Sequence, residues 1–162
     1  KNNLTTKFYL DLKNLYSFDK KNLSNKFIYL INSLNSLKKQ GKFIVGLHIR
    51  RKDYKSWNGG KYYFSDQIYK QIINKLRKKL VKDKLIPYIL VLSDDVISPC
   101  LNCDYLSNGS WKEDQLILQI CDLIIGPPST FTMWASYISQ TPLIQIKDDG
   151  DINFADAKVC KG

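Results

Sequence analysis

The 162 residues are 44% apolar, carry a formal net charge of +10 and include four cysteines. That is room for one domain with a genuine core, and too few and too irregular cysteines for a disulfide scaffold. No apolar run approaches the roughly 18 residues of a membrane span, and the lysines that supply most of the charge are spread along the chain, not interleaved with aromatics as on a nucleic-acid surface.

Phe8, Leu10 and Leu12 alternate and predict a short strand over residues 7–12. Residues 22–40 predict a helix: Asn22 or Ser24 can cap it, Phe27, Leu30, Ile31, Leu34 and Leu37 follow helical spacing, and Gly41 ends it. Phe43 to Ile49 is a short, β-branched apolar run, read as a buried strand. It stops abruptly at His48-Ile49-Arg50-Arg51-Lys52-Asp53. A polar loop follows over residues 52–61, with Trp57, Asn58 and Gly59-Gly60. Ser65 or Asp66 then caps a long helix to about Val81, apolar at Ile68, Ile72, Ile73, Leu76 and Leu80 and lysine-rich opposite.

Tyr88 to Leu92 predicts a second core strand, ending in Ser93-Asp94-Asp95. A loop with Cys100-x-x-Cys103 leads to a helix over Lys112–Cys121. That cysteine pair has no second pair after it, and His48 is the single histidine, so no metal site is expected. Asp122 to Gly126 predicts a third strand, broken by Pro127-Pro128, and Ser129 caps a helix over Phe131, Trp134, Ala135 and Tyr137. Pro142 to Ile146 predicts a fourth strand, and residues 147–162 form a polar, poorly patterned tail.

Strands separated by amphipathic helices predict an α/β fold with a parallel, Rossmann-like sheet. In such sheets ligands bind at the carboxyl ends of the strands. Three strand ends would meet there: His48/Arg50/Arg51, Ser93/Asp94/Asp95 and Ser129/Thr130. Arginine forks and a helix amino terminus suit a diphosphate, and carboxylates suit ribose hydroxyls or the N–H edge of a base. Neighbours on a strand point to opposite faces, so one arginine faces the ligand and the other pairs with a carboxylate such as Asp53. Taken alone, His48 also reads as a core histidine, Ser93-Asp94-Asp95 as a strand-ending turn, Ser129 as a plain helix cap and Asp122 as the start of a strand.

Gly46-Leu47-His48-Ile49-Arg50-Arg51-Lys52-Asp53-Tyr54, with Tyr62-Tyr63 before the next helix, resembles the first shared peptide motif of the α-1,2-, α-1,6- and protein O-fucosyltransferases, closest to the α-1,2 group of glycosyltransferase family 11. Ser93-Asp94-Asp95 at a strand end is a second match. The third runs from Glu113-Asp114 through Cys121-Asp122 to Ser129-Thr130-Phe131-Thr132-Met133-Trp134-Ala135.

The resemblance implies the nucleotide-sugar-binding half of a GT-B enzyme: inverting transfer of fucose from GDP-fucose, or of the sugar of another nucleotide sugar, to a hydroxyl of a glycan acceptor. It implies no metal and no cofactor besides the donor. Arg50 would contact the β-phosphate, with His48 and Asp53 shaping the catalytic site. Arg51, Ser93, Asp94, Asp95, Ser129, Thr130 and Phe131 would line the donor site, and Asp122 matches a position that contacts guanine.

Residues 1–42 would be a helical segment left from, or linked to, an acceptor-binding domain, and 43–162 the donor-binding domain. Met133 departs from a frequently aromatic position, and no carboxylate stands in the loop after Asp53 to serve as acceptor-side base. The alternatives are a non-catalytic nucleotide- or anion-binding module of a larger protein and, more distantly, a lysine-mediated nucleic-acid binder. No leader is legible and the expected compartment is cytoplasmic. The chain opens at Lys1, not at a methionine, as an excised piece of a longer protein would.

Overall fold

Ser24 opens the first described helix of this computed structural model, which describes residues 23–98 and 101–160. Its hydroxyl accepts from the Phe27 N–H, and helix α1 (Asn25–Lys39) buries Phe27 and Leu34. The strand predicted over residues 7–12 lies outside the described residues, as does Cys100; the thiols of Cys103, Cys121 and Cys160 are free. Strand β1 (Lys42–Ile49) follows, buried from Ile44 onward. Helix α2 (Asp66–Lys82) is capped by Ser65 and buries Tyr69, Ile72, Ile73, Leu76 and Leu80. Strand β2 (Ile86–Ser93) pairs with β1 along its whole length, His48 opposite Leu92 and Ile49 opposite Ser93.

Three further strands complete the sheet: β3 (Tyr105–Leu106), β4 (Leu123–Gly126) and β5 (Leu143–Gln145). The order is β3-β2-β1-β4-β5 and every pairing is parallel. Helix α3 (Trp111–Ile120) precedes β4 and opens with a capping box, Ser110 and Glu113 each satisfying the other's backbone N–H. Helix α4 (Thr130–Ser139) joins β4 to β5. The Rossmann-like α/β architecture is thus as the alternation of strands and helices predicts.

Two corrections concern strands. β3 was not anticipated, because two residues carry no readable periodicity. Asp122 stands just before β4, not within it.

Alternation along β1 sorts the core into two faces. Val45, Leu47 and Ile49 pack with Ile72, Ile73 and Leu76 of α2. Ile44 packs on the other face with Phe27 and Leu34 of α1, Ile117 and Leu118 of α3, and Ala135 of α4. Gly46 lies at the closest approach: a Cβ there would come within 2.7 Å of Leu118 Cδ2 and 2.9 Å of Cys121 Sγ. The polar tail is held by Ile152, which is buried, and by a bridge between Lys158 and Leu143. Among the described residues no helix is long and apolar enough to cross a membrane.

The chain winds from β1 outward to β3, then crosses back to β4 on the other side of β1. The reversal falls between β1 and β4. In doubly wound sheets the crevice at that point, beyond the carboxyl ends of the strands, is where ligands bind.

Candidate functional site

Arg50 is the first residue past β1 and sits in that crevice. Its Nε lies 3.0 Å from Asp53 Oδ1 and its Nη1 3.3 Å from Asp94 Oδ2. Asp94 reaches it because β1 and β2 run in register to Ser93; its other oxygen accepts the Arg51 N–H at 2.8 Å. Two carboxylates hold the guanidinium in place, yet the side chain keeps 30% exposure, enough to meet a ligand.

Of five buried side-chain polar atoms without a hydrogen bond among the described residues, three are His48 Nδ1, Arg50 Nε and Asp94 Oδ2, and the last two are atoms of the Arg50–Asp53 and Arg50–Asp94 ion pairs. A buried polar atom without a partner, as His48 Nδ1 is, costs free energy.

His48 is buried and its ring stacks on Phe131, centroids 4.8 Å apart. Burial, and then the charge of Arg50, press its pKa down to about 3, so the imidazole is neutral at physiological pH and a poor base. Its ring packs the first turn of α4 against β1. Gly126 permits that approach, since a Cβ would stand 3.2 Å from the His48 carbonyl oxygen and 3.1 Å from Thr132 Cγ2.

Ser129 is the N-cap of α4, accepting from the Phe131 N–H at 3.2 Å, and its carbonyl accepts from Thr132 Oγ1. Thr130, in the first turn, is exposed. The amino end of α4 therefore opens at the carboxyl edge of the sheet, beside Arg50's strand. Beyond Pro128 on the same edge is a cleft of ≈870 Å³, lined by Tyr62, Met133, Gln145, Asp148, Asp156 and Lys158 among others.

Two expectations need correction. Arg51 is buried, donates to the Phe64 carbonyl and pairs with Asp66, so its partner is not Asp53 and it does not face the ligand. Asp122 lies at the amino edge of the sheet, where its carboxylate accepts the Ile44 N–H at 2.8 Å and pairs with Lys38 at 2.8 Å. A parallel strand that starts after Asp122 puts it at the edge opposite Arg50, and a base-contacting role does not fit there. Ser93 and Asp95 form a turn at the carboxyl edge: Ser93 Oγ accepts the Asp95 N–H and Asp95 accepts the Val96 N–H, with Asp94 turned to Arg50. The Phe131 ring stacks on His48 at the same edge.

Sequence reasoning gave Tyr54 no role, although it stands in the motif. It is buried, with its hydroxyl donating to the Pro128 carbonyl and its ring 5.7 Å from the Arg50 guanidinium carbon. The signal available was its position, one residue past Asp53.

The His48 shift has a measurable consequence. Below its ordinary pKa of 6.5 the unfolded chain takes a proton that the folded one refuses, so stability falls with acid by about 1.4 kcal/mol per pH unit. Asp114 opposes this. Burial raises its carboxyl from 3.8 to about 6, so within that window the folded chain holds the extra proton and acid stabilises it. The two nearly cancel between pH 6 and 4. In Asp114→Asn the compensation is gone. The melting temperature of the variant is expected to drop several degrees more than that of wild type between pH 6.5 and 4.5, about 2 kcal/mol by the same slope. Parallel pH profiles would refute the assignment.

Among the described residues no group of three or more His, Cys, Asp or Glu side chains is placed to hold a metal ion. No curated protein and no solved structure gives a significant match to the chain. A family model described as Glycosyl transferase family 11 matches residues 11–158. That span takes in all five strands, the Arg50 crevice and the start of α4, so the chain belongs to glycosyl transferase family 11, a fucosyltransferase family of glycosyltransferase enzymes.

Proposed function

We propose that the chain transfers fucose from GDP-fucose to a hydroxyl of a glycan acceptor, with inversion and without a metal, as the donor-binding half of a GT-B enzyme. One observation carries this reading. Arg50, a permanent cation, is held by Asp53 and Asp94 at the sheet's reversal point, next to the amino end of α4.

In the reaction the bond between the sugar's C1 and a β-phosphate oxygen breaks, and the acceptor oxygen bonds to C1 from the opposite face. The acceptor's proton goes to a base on the acceptor side. Negative charge gathers on the departing diphosphate. A fixed guanidinium and helix N–H groups are aimed where that charge develops, which lowers the barrier. Arg50 and α4 thereby supply the positive charge a metal would otherwise bring. The cleft beyond Pro128 offers room for the nucleoside.

The test is thermal unfolding with GDP, followed by transfer assays over a panel of nucleotide sugars and glycan acceptors. GDP at about 100 times its Kd is expected to raise the melting temperature by roughly 5–10 °C, and GDP-fucose to be the preferred donor. No shift with millimolar GDP in a folded sample would sink the reading. Preference for another nucleotide sugar would overturn the donor assignment alone.

A further inference from the structure

We infer that Tyr54 is a positioning residue, a tie that sets the width of the crevice and the aim of Arg50. The inference rests on reading that crevice as the donor's diphosphate site.

Tyr54 belongs to the 3₁₀ turn Asp53–Lys55 that follows β1, so its backbone is fixed to the lip that carries Arg50 and Asp53. Its hydroxyl donates to the carbonyl of Pro128, the residue before the α4 cap Ser129, on the opposite lip. One side chain thereby links two segments 74 positions apart in sequence, across the place where the sheet reverses. Arg50 lies over one part of the ring at 5.7 Å, and Trp57 stacks on it with centroids 4.8 Å apart. Trp57 in turn leans on Tyr62, which lines the neighbouring cleft. The loop reaches this shape through three successive positive φ angles, at Asn58, Gly59 and Gly60.

The chemistry asks for tyrosine in particular. The span needs a long, stiff side chain with few rotatable bonds and a donor at its tip. Phenylalanine keeps the ring under Arg50 and drops the donor, leaving the Pro128 carbonyl short of a partner. Burial raises the hydroxyl's pKa above its ordinary value, which keeps it protonated and able to donate. A diphosphate has to meet Arg50 and the α4 N–H groups together. If the lips drift, only one of those contacts is made at a time, and binding weakens without loss of fold.

The variant is Tyr54→Phe, compared with wild type, Arg50→Lys and the double variant, with GDP and inorganic pyrophosphate as probes. Tyr54→Phe is expected to stay folded and to melt within a few degrees of wild type. Its Kd for both probes should rise about 3–10-fold, the scale of one neutral hydrogen bond. In the Arg50→Lys background the same change should cost less than twofold, because the aim of a guanidinium no longer matters. Equal affinities of wild type and Tyr54→Phe overturn the proposal. So does a full loss repeated in the Arg50→Lys background, which would make Tyr54 a packing residue.

A ligand-free readout separates this from the functional reading: the Arg50 Nε–Hε NMR signal. Should wild type bind neither probe, the diphosphate reading falls. A displaced or broadened Arg50 signal in Tyr54→Phe would still uphold the tie, and an unchanged one would overturn it.

Discussion

Arg50→Ala is expected to abolish the GDP-induced rise in melting temperature and to lower kcat/KM by about 10²–10³-fold, the usual cost of losing one fixed donor to developing charge. The loss is larger than one missing contact suggests, because of what remains. Asp53 and Asp94 now stand at the crevice with no cation between them, and an incoming diphosphate meets two carboxylates. Without ligand the variant should be nearly as stable as wild type. The Arg50 pairs are partly exposed, and such pairs contribute about 0–1 kcal/mol. Asp94 keeps its bond from the Arg51 N–H. Arg50→Lys should recover the charge but only part of the activity, since an ammonium cannot serve a carboxylate on each side and a phosphate in one plane. The measurement is isothermal titration with GDP beside steady-state kinetics. A GDP-induced shift that survives in Arg50→Ala would move the phosphate site elsewhere.

Much of this site is legible in the sequence because strand direction and register follow from the hydrophobic pattern. Once β1 and β2 are read as parallel core strands ending at Ile49 and Ser93, Arg50 and Asp94 must come together. Local chemistry names Ser129 as a cap and narrows the others to Asn22 or Ser24 and Ser65 or Asp66, of which Ser24 and Ser65 are used. What escaped reading depends on contacts between distant loops. Arg51 finds Asp66 because the loop after β1 folds back through two 3₁₀ turns, and nothing in its local pattern announces that path. Tyr54 finds Pro128 in the same way. Asp122 is a different case. Its motif position suggested the ligand edge, whereas strand polarity already put it at the other end, where Lys38 and the Ile44 N–H occupy it. Topology was the better guide there.

The neighbouring arginine should behave in the opposite manner. Arg51→Met is expected to lower stability by about 2–4 kcal/mol, or roughly 5–15 °C in melting temperature, while the folded variant keeps its affinity for GDP within about threefold. The Arg51 guanidinium donates to the buried Phe64 carbonyl and pairs with Asp66 at the start of α2. It also lies 5.2 Å from the Tyr63 ring and 5.4 Å from the Tyr69 ring. Asp66 in turn accepts the Ser98 N–H, so the loop after β1, the first turn of α2 and the loop after β2 meet at one cation. Methionine fills the volume but leaves the Phe64 carbonyl without its donor and Asp66 without its counter-charge. Part of the loss should return in Arg51→Met/Asp66→Asn, where the stranded charge is removed as well. The two arginines are neighbours in the turn that leaves β1, and that single step separates the crevice from the core. Chemical denaturation with and without GDP separates them: Arg50→Ala loses the ligand effect at nearly constant stability, and Arg51→Met loses stability at nearly constant ligand effect. The reverse pattern would mean that the two side chains have exchanged roles, with Arg51 turned to the crevice and Arg50 to the core.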